Sequence, residues 1–167
     1  FTYFQQSGGM TLDPVSVEIT YGMERILIAL QNVDHFSKIA YNDRLSYGEV
    51  LGQSEYEWSR YYLDDANVEA NTTLFDTYEA EARRLIAARL PIPAHSYVLK
   101  CSHAFNVLDS RGAISPTERA RAFSRIRGLA HEVAALWIAR REEQGHPLGV
   151  PPTPKAPELP VVPTPPT

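Results

Sequence analysis

Glu18-Ile19-Thr20-Tyr21-Gly22-Met23-Glu24-Arg25-Ile26 is the stretch from which the rest of this chain is read. It predicts a short strand that turns at Gly22 directly into a helix. Glu18 and Thr20 are two apart, so a strand places them on one face. Gly22 permits a tight turn and a close backbone approach. Met23, Ile26, Leu27 and Leu30 follow at helical spacing and give the helix one apolar face. Arg25 falls in the first turn, off that face. A guanidinium beside helix-end N–H groups, next to a strand carrying a carboxylate, has the chemistry of a phosphate site with a metal-holding acid. The same pattern also serves as plain structure: a strand, a glycine and an amphipathic helix with a solvated arginine.

Outward toward the N-terminus, Phe1-Thr-Tyr-Phe-Gln-Gln6 is aromatic-rich and predicts a strand, with Thr2, Phe4 and Gln6 on one face and Phe1, Tyr3 and Gln5 on the other. Ser7-Gly8-Gly9 breaks it, Leu12-Asp13-Pro14 is turn-prone, and Val15 to Tyr21 predicts a second, antiparallel strand. A strand pair alone is barely stable, so further strands are expected from a part of the protein preceding Phe1. The helix from Met23 to about Asn32 is expected to cover one sheet face.

Toward the C-terminus, Val33 to Leu45 predicts a loop with a short turn. Ser46-Tyr-Gly-Glu49 has capping-box spacing and starts a helix toward Tyr62. Asp64-Asp65 is expected to start the next helix, with Leu74, Phe75, Tyr78, Leu85 and Ile86 as its apolar stripe. Pro91-Ile92-Pro93 predicts a stiff break. A helix over about Ala94–Leu108 packs through Val98, Cys101, Phe105 and Leu108. Ser115-Pro116-Thr117-Glu118 combines an N-cap serine, a proline at the first helical position and a glutamate at the third. Phe123, Ile126, Ala130, Val133, Ala134, Trp137 and Ile138 then run as a stripe, and Gly145 is the expected C-cap. Nine of the thirteen prolines fall in residues 147–167, a composition for an extended linker or tail that buries no core.

Several of these segments together resemble the alpha subunit of bacterial-type, heterotetrameric glycyl-tRNA synthetase. Glu18 to Ile26 resembles motif 3 of a class II aminoacyl-tRNA synthetase. The flanks that match are Phe1 to Gln6 with Gly8-Gly9, Gln31 to Asp34, Ser46 to Val50, His103 to Arg111, Ala113 to Arg119 and Ser124 to Arg127. They run in order as far as about Pro147. The implied fold class is α+β and predominantly helical: the terminal strands of a class II antiparallel sheet with the motif 3 helix (residues 1–45), an all-helical lobe (46–146) and the proline-rich linker or tail (147–167). Class II motifs 1 and 2 have no counterpart here and are expected before Phe1, and the segment from Val33 to Ser46 looks shorter than the family pattern.

Composition agrees with a globular domain of 167 residues and 18.7 kDa, 44% hydrophobic and 22% charged. A net charge of −4 provides no global attraction for nucleic acid, so any RNA contact is local. The single cysteine, Cys101, excludes an internal disulfide and suits a reducing compartment. No run reaches the length of a membrane span, and the first residues lack a signal-peptide layout. His35, His95, His103, His131 and His146 are scattered and form no zinc pattern. His103 is expected to pack or bond within the helical lobe, and Cys101 to be core rather than a nucleophile. No Gly-x-Ser-x-Gly, Walker or dinucleotide signature occurs.

The resemblance implies roles. Arg25 would be the motif 3 arginine that binds ATP and neutralises charge as an amino-acid carboxylate attacks the α-phosphate. Glu18 would hold Mg²⁺ or the glycine ammonium, and Thr20 and Gly22 would line the pocket. Tyr3, Gln5 and Gln6 are candidates for holding glycine, with either strand face open as the inward one; Glu24 is either outward or a partner of Arg25. Arg111, Arg119, Arg121, Arg125 and Arg127 form the one basic concentration. Arg121 and Arg125 share a helix face and would contact RNA phosphate or an acidic partner, unless the face is a solvated one with local salt bridges. The implied activity is a glycine–tRNA ligase using ATP and Mg²⁺. Glycine and tRNA(Gly) are its substrates, a beta subunit or fused beta region and a second alpha chain its partners, and the cytoplasm its location. Two alternatives stand beside it: a non-catalytic paralogue or fragment whose helices bind protein or RNA, and an interaction module whose proline tail is a ligand.

Overall fold

The structure, a computed structural model, describes residues 1–145. The proline-rich segment lies outside the described residues. As expected, the fold is mostly helical with a small antiparallel sheet at the N-terminus.

Strands β1 (Thr2–Ser7) and β2 (Met10–Glu18) pair antiparallel, with Thr2 opposite Glu18, Tyr3 opposite Val17 and Ser7 opposite Met10. Gly8 and Gly9, at φ 57° and 78°, make the two-residue turn whose left-handed backbone matches strand twist. Because those two glycines complete the reversal, β2 begins at Met10 rather than at Val15, and it ends at Glu18 rather than Tyr21. The turn-prone Leu12-Asp13-Pro14 is not a turn but a bulge. Register passes from Phe4–Ser16 to Gln6–Thr11, leaving Gln5 alone opposite Leu12 to Val15, where a proline that cannot donate is tolerated.

Helix α1 (Met23–Gln31) ends at Asn32, whose left-handed φ of 52° turns the following N–H, that of Val33, back to the Ile28 carbonyl at 3.1 Å. It does not cover the sheet. None of its residues is buried, and Ile26 and Leu30 face solvent. Its C-terminal end is instead drawn to the following loop: the Gln31 amide donates to the Ala40 carbonyl at 3.1 Å and accepts from the Ala40 N–H at 2.7 Å. That loop contains the expected short turn (3₁₀, Phe36–Lys38) and buries Ile39.

Helix α2 (Tyr47–Arg60) starts in a complete Ser46–Glu49 capping box and runs into a π-helical turn, Tyr61–Asp65. Asp64 and Asp65 belong to that turn, and do not start the next helix. Asp65 pairs with Arg60 at 2.6 Å, and α3 (Val68–Ala87) begins later, capped by Asn67. The turn is pinned from α4 by Arg111, which donates to the Leu63 carbonyl at 2.7 Å and the Ala66 carbonyl at 3.2 Å.

Helix α4 (Pro91–Ser110) starts earlier than expected. Pro91-Ile92-Pro93 is its first turn, where the missing N–H groups have no helical partner to lose. The break precedes it, at Arg89 with φ 57°. Helix α5 (Pro116–Glu143) opens in the expected Ser115–Glu118 capping box and is followed by Gly145 at φ 69°.

The core lies among α3, α4 and α5. Ala82, Leu85, Ala94, Val98, Leu129 and Val133 form one cluster; Phe75, Cys101, Ala104 and Phe105 form another. Val98, Cys101, Phe105 and Leu108 are buried as expected, and Leu129 joins the α5 face. Leu74, Phe123, Trp137 and Ile138 are on the exposed margins of their stripes.

Candidate active site

Glu18 is the last residue of β2, and the chain continues through Thr20 to Gly22 as an extended arm. The Thr20 hydroxyl donates to Glu18 Oε1, so the two polar groups meet on one side. Register adds Thr2, opposite Glu18, and Phe4, opposite Ser16, to that face; Tyr3 and Val17 occupy the other. Strand alternation then places Gln6 with Phe4, and Gln5 with Tyr3. Tyr3 meets Phe1 edge-on, with ring centroids 5.6 Å apart. The three candidates on β1 therefore divide between the faces: Gln6 shares the Glu18 side, and Tyr3 and Gln5 do not.

Gly22 caps α1 at φ −81° and ψ 90°, a backbone open to any residue, so the turn itself does not require glycine. A Cβ there would stand 3.6 Å from Arg25 Cδ, which means the arginine stem folds back along the glycine. Arg25 borders a groove of about 370 Å³ formed with Glu24, Ile28, Phe36, Tyr47 and Glu55. Among the described residues it has no ion pair. Its neighbour Glu24 is occupied elsewhere, accepting the Tyr47 hydroxyl at 2.7 Å. That bond and the helix-end N–H hold the Glu24 carboxyl below its usual range, and the same bond pushes the Tyr47 phenol up. Tyr47, Phe36 and Glu55 carried no sequence signal for this groove, because only the fold of the loop brings α2 beside α1.

Arg125 is engaged inside the helical lobe. It donates to Asp76 at 2.8 Å and to Glu79, and its guanidinium lies 4.6 Å from the Phe75 ring centroid. Arg119 pairs with Asp109. Arg121 stays on the exposed side, bordering the groove between α3 and α5. His103 packs edge-on to Tyr62 at 6.0 Å. Cys101 is fully buried, and burial pushes its thiol up to about 11, which suits core packing and not nucleophilic chemistry. No group of three or more potential metal ligands exists among the described residues, so Glu18 contributes at most a single carboxylate.

The sequence that carries these elements is matched by known proteins. The model of the glycyl-tRNA synthetase alpha subunit family matches residues 1–142. A curated relative, the glycine–tRNA ligase, chloroplastic/mitochondrial 2, of Arabidopsis thaliana, is 58% identical over 150 residues, covering 90% of this chain. The aligned part is 14% of that relative's length. A match of this extent identifies the chain as a member of the glycyl-tRNA synthetase alpha subunit family.

Proposed function

We propose that this chain supplies the motif 3 side of the ATP and glycine site of a glycine–tRNA ligase. The observation that carries the proposal is Arg25. It is an arginine in the first turn of α1, free of acidic partners among the described residues, with its stem against Gly22 and a family match spanning the whole segment. In the first step glycine's carboxylate attacks the α-phosphorus of ATP. A new O–P bond forms, the bond to the bridging oxygen breaks, and pyrophosphate leaves. Arg25 neutralises phosphate charge as it redistributes. In the second step a 3′-terminal hydroxyl of tRNA(Gly) takes the glycyl group and AMP departs. Positioning and charge stabilisation suffice, and no side chain here is a nucleophile.

Glu18 fits the single-carboxylate share of an Mg²⁺ site whose other ligands are nucleotide phosphates and water. Such an ion would offset phosphate charge. In the alternative role Glu18 takes the glycine ammonium, with Thr20 orienting it. Of the three β1 candidates only Gln6 shares the Glu18 face, four residues along β1 from Thr2, the residue opposite Glu18; Tyr3 and Gln5 would serve only a site on the opposite face. Of Arg121 and Arg125, Arg121 is the freer for RNA or a partner. A beta region, separate or fused, and a second alpha chain complete the proposed assembly. We place the protein in the cytoplasm, whereas the relative is named as chloroplastic/mitochondrial; localisation of the tagged full-length protein decides between them. No helix among the described residues is long and apolar enough to cross a membrane.

The test is glycine-dependent ATP–pyrophosphate exchange by the native full-length protein. Arg25→Ala is expected to lower kcat by about 10²–10³-fold, and the isolated 167-residue chain is expected to show no exchange. Unchanged exchange in Arg25→Ala refutes the proposal.

A further inference from the structure

The β1–β2 hairpin exposes both faces, and it touches the helical lobe through its tip. There Gly8 lies hard against α5. A Cβ on Gly8 would stand 3.0 Å from Ala134 Cβ, 3.1 Å from the Ala130 carbonyl oxygen and 3.2 Å from His131 Cα. His131 Nδ1 also meets the Gly8 carbonyl oxygen at 2.5 Å, which requires the imidazole to donate from Nδ1. Gly9, one residue on, is different: a Cβ there would meet only His131 Nδ1, at 3.7 Å. The tip is thus gripped at one residue, by backbone contact on one side and a side-chain hydrogen bond on the other. Ser7 and Gln6 lead from that residue directly into β1.

We propose that α5 of the helical lobe positions the substrate-binding strand by gripping Gly8, with His131 as the positioning residue. This rests on the ligase reading above. The grip fixes the height and tilt of the hairpin, and hence where its Glu18 and Thr20 face stands relative to Arg25 on α1. Displacing a strand by a fraction of an ångström weakens groups aimed at a very small substrate. It disturbs Arg25 less, because α1 is anchored separately through Gln31 and Glu24.

The experiment measures glycine and ATP KM in pyrophosphate exchange by the full-length enzyme. Gly8→Ala and Gly9→Ala both place alanine in the left-handed region, but only the first drives a Cβ into α5 at 3.0–3.2 Å, the second making ordinary contact with His131 Nδ1 at 3.7 Å, so their difference isolates the grip. The expected result is a glycine KM raised about tenfold in Gly8→Ala and His131→Ala. ATP KM should move less than about threefold, and His131→Asn, whose amide restores a donor near Nδ1, should recover most of the loss. Equal effects in Gly8→Ala and Gly9→Ala, or parallel shifts of both KM values, overturn the inference. Loss of exchange in Arg25→Ala with no effect in His131→Ala leaves the ligase reading standing and refutes the grip. A wild-type protein without exchange refutes both.

Discussion

Tyr47 Oη donates to Glu24 Oε1 at 2.7 Å, joining the first turn of α2 to the first turn of α1. The bond occupies the carboxylate next in sequence to Arg25 and so keeps that acid from pairing with the guanidinium. Tyr47→Phe frees Glu24 to compete with phosphate for Arg25. ATP KM is expected to rise a few-fold with glycine KM unchanged, and Tyr47→Phe combined with Glu24→Gln should return it to the wild-type value. A Tyr47→Phe enzyme with unaltered ATP KM means that Glu24 does not reach Arg25 once released.

Glu79 is buried between Arg83, at 2.7 Å, and Arg125. Burial alone would push its carboxyl up, but the hydrogen bonds and charges of Arg125 and Arg83 prevail and hold it below its ordinary value of 4.5. The folded state therefore binds this proton less readily than the unfolded chain. The resulting stability is fully present above about pH 4.5 and is lost as pH falls through the folded value. Glu79→Gln is expected to cost about 1–2 kcal/mol at pH 7. Denaturant titrations from pH 7 to pH 3 should show that difference shrinking below pH 4.5; a constant difference would remove the linkage.

The elements whose signals are local were legible in the sequence. Ser46–Glu49 and Ser115–Glu118 each form the capping box that their spacing predicts, because both arms of that motif lie within one helical turn. Asp64-Asp65 misled for a related reason. Acids favour a helix start, but here Arg60 and the carbonyl bonds from Arg111 extend α2 through them. Motif 3 was legible as a string, but not the surroundings of Arg25. Tyr47 is distant in sequence from Glu24, and the Val33–Leu45 loop that unites them has no periodicity to read. Strand register was equally hidden, since the bulge opposite Gln5 depends on how the Gly8-Gly9 turn closes.

Cys101 is fully buried between α3 and α4, with its Sγ donating toward the Phe75 carbonyl at 3.8 Å and its thiol pushed up to about 11 by burial. At pH 8 almost none of it is thiolate. Maleimide is expected to leave Cys101 unlabelled over hours in the native protein and to modify it promptly in denaturant. Cys101→Ala should keep full exchange activity and lose about 1 kcal/mol of stability. Rapid native labelling would mean that the α3–α4 contact opens on the time of the reaction.

Gly22→Ala separates structure from ligand approach. The backbone at φ −81° accepts alanine, and the added Cβ finds only ordinary contact with the Arg25 stem at 3.6 Å. Losing glycine at an N-cap and narrowing the unfolded ensemble act in opposite directions, so stability should change by less than about 1 kcal/mol. The methyl group nevertheless stands where Arg25 and a nucleotide would meet. If ATP binds there, kcat/KM for ATP should fall at least about tenfold with the thermal midpoint almost unmoved. An alanine variant with wild-type kinetics would put the nucleotide away from this arm, and with it the reason for a glycine at a position whose backbone does not demand one.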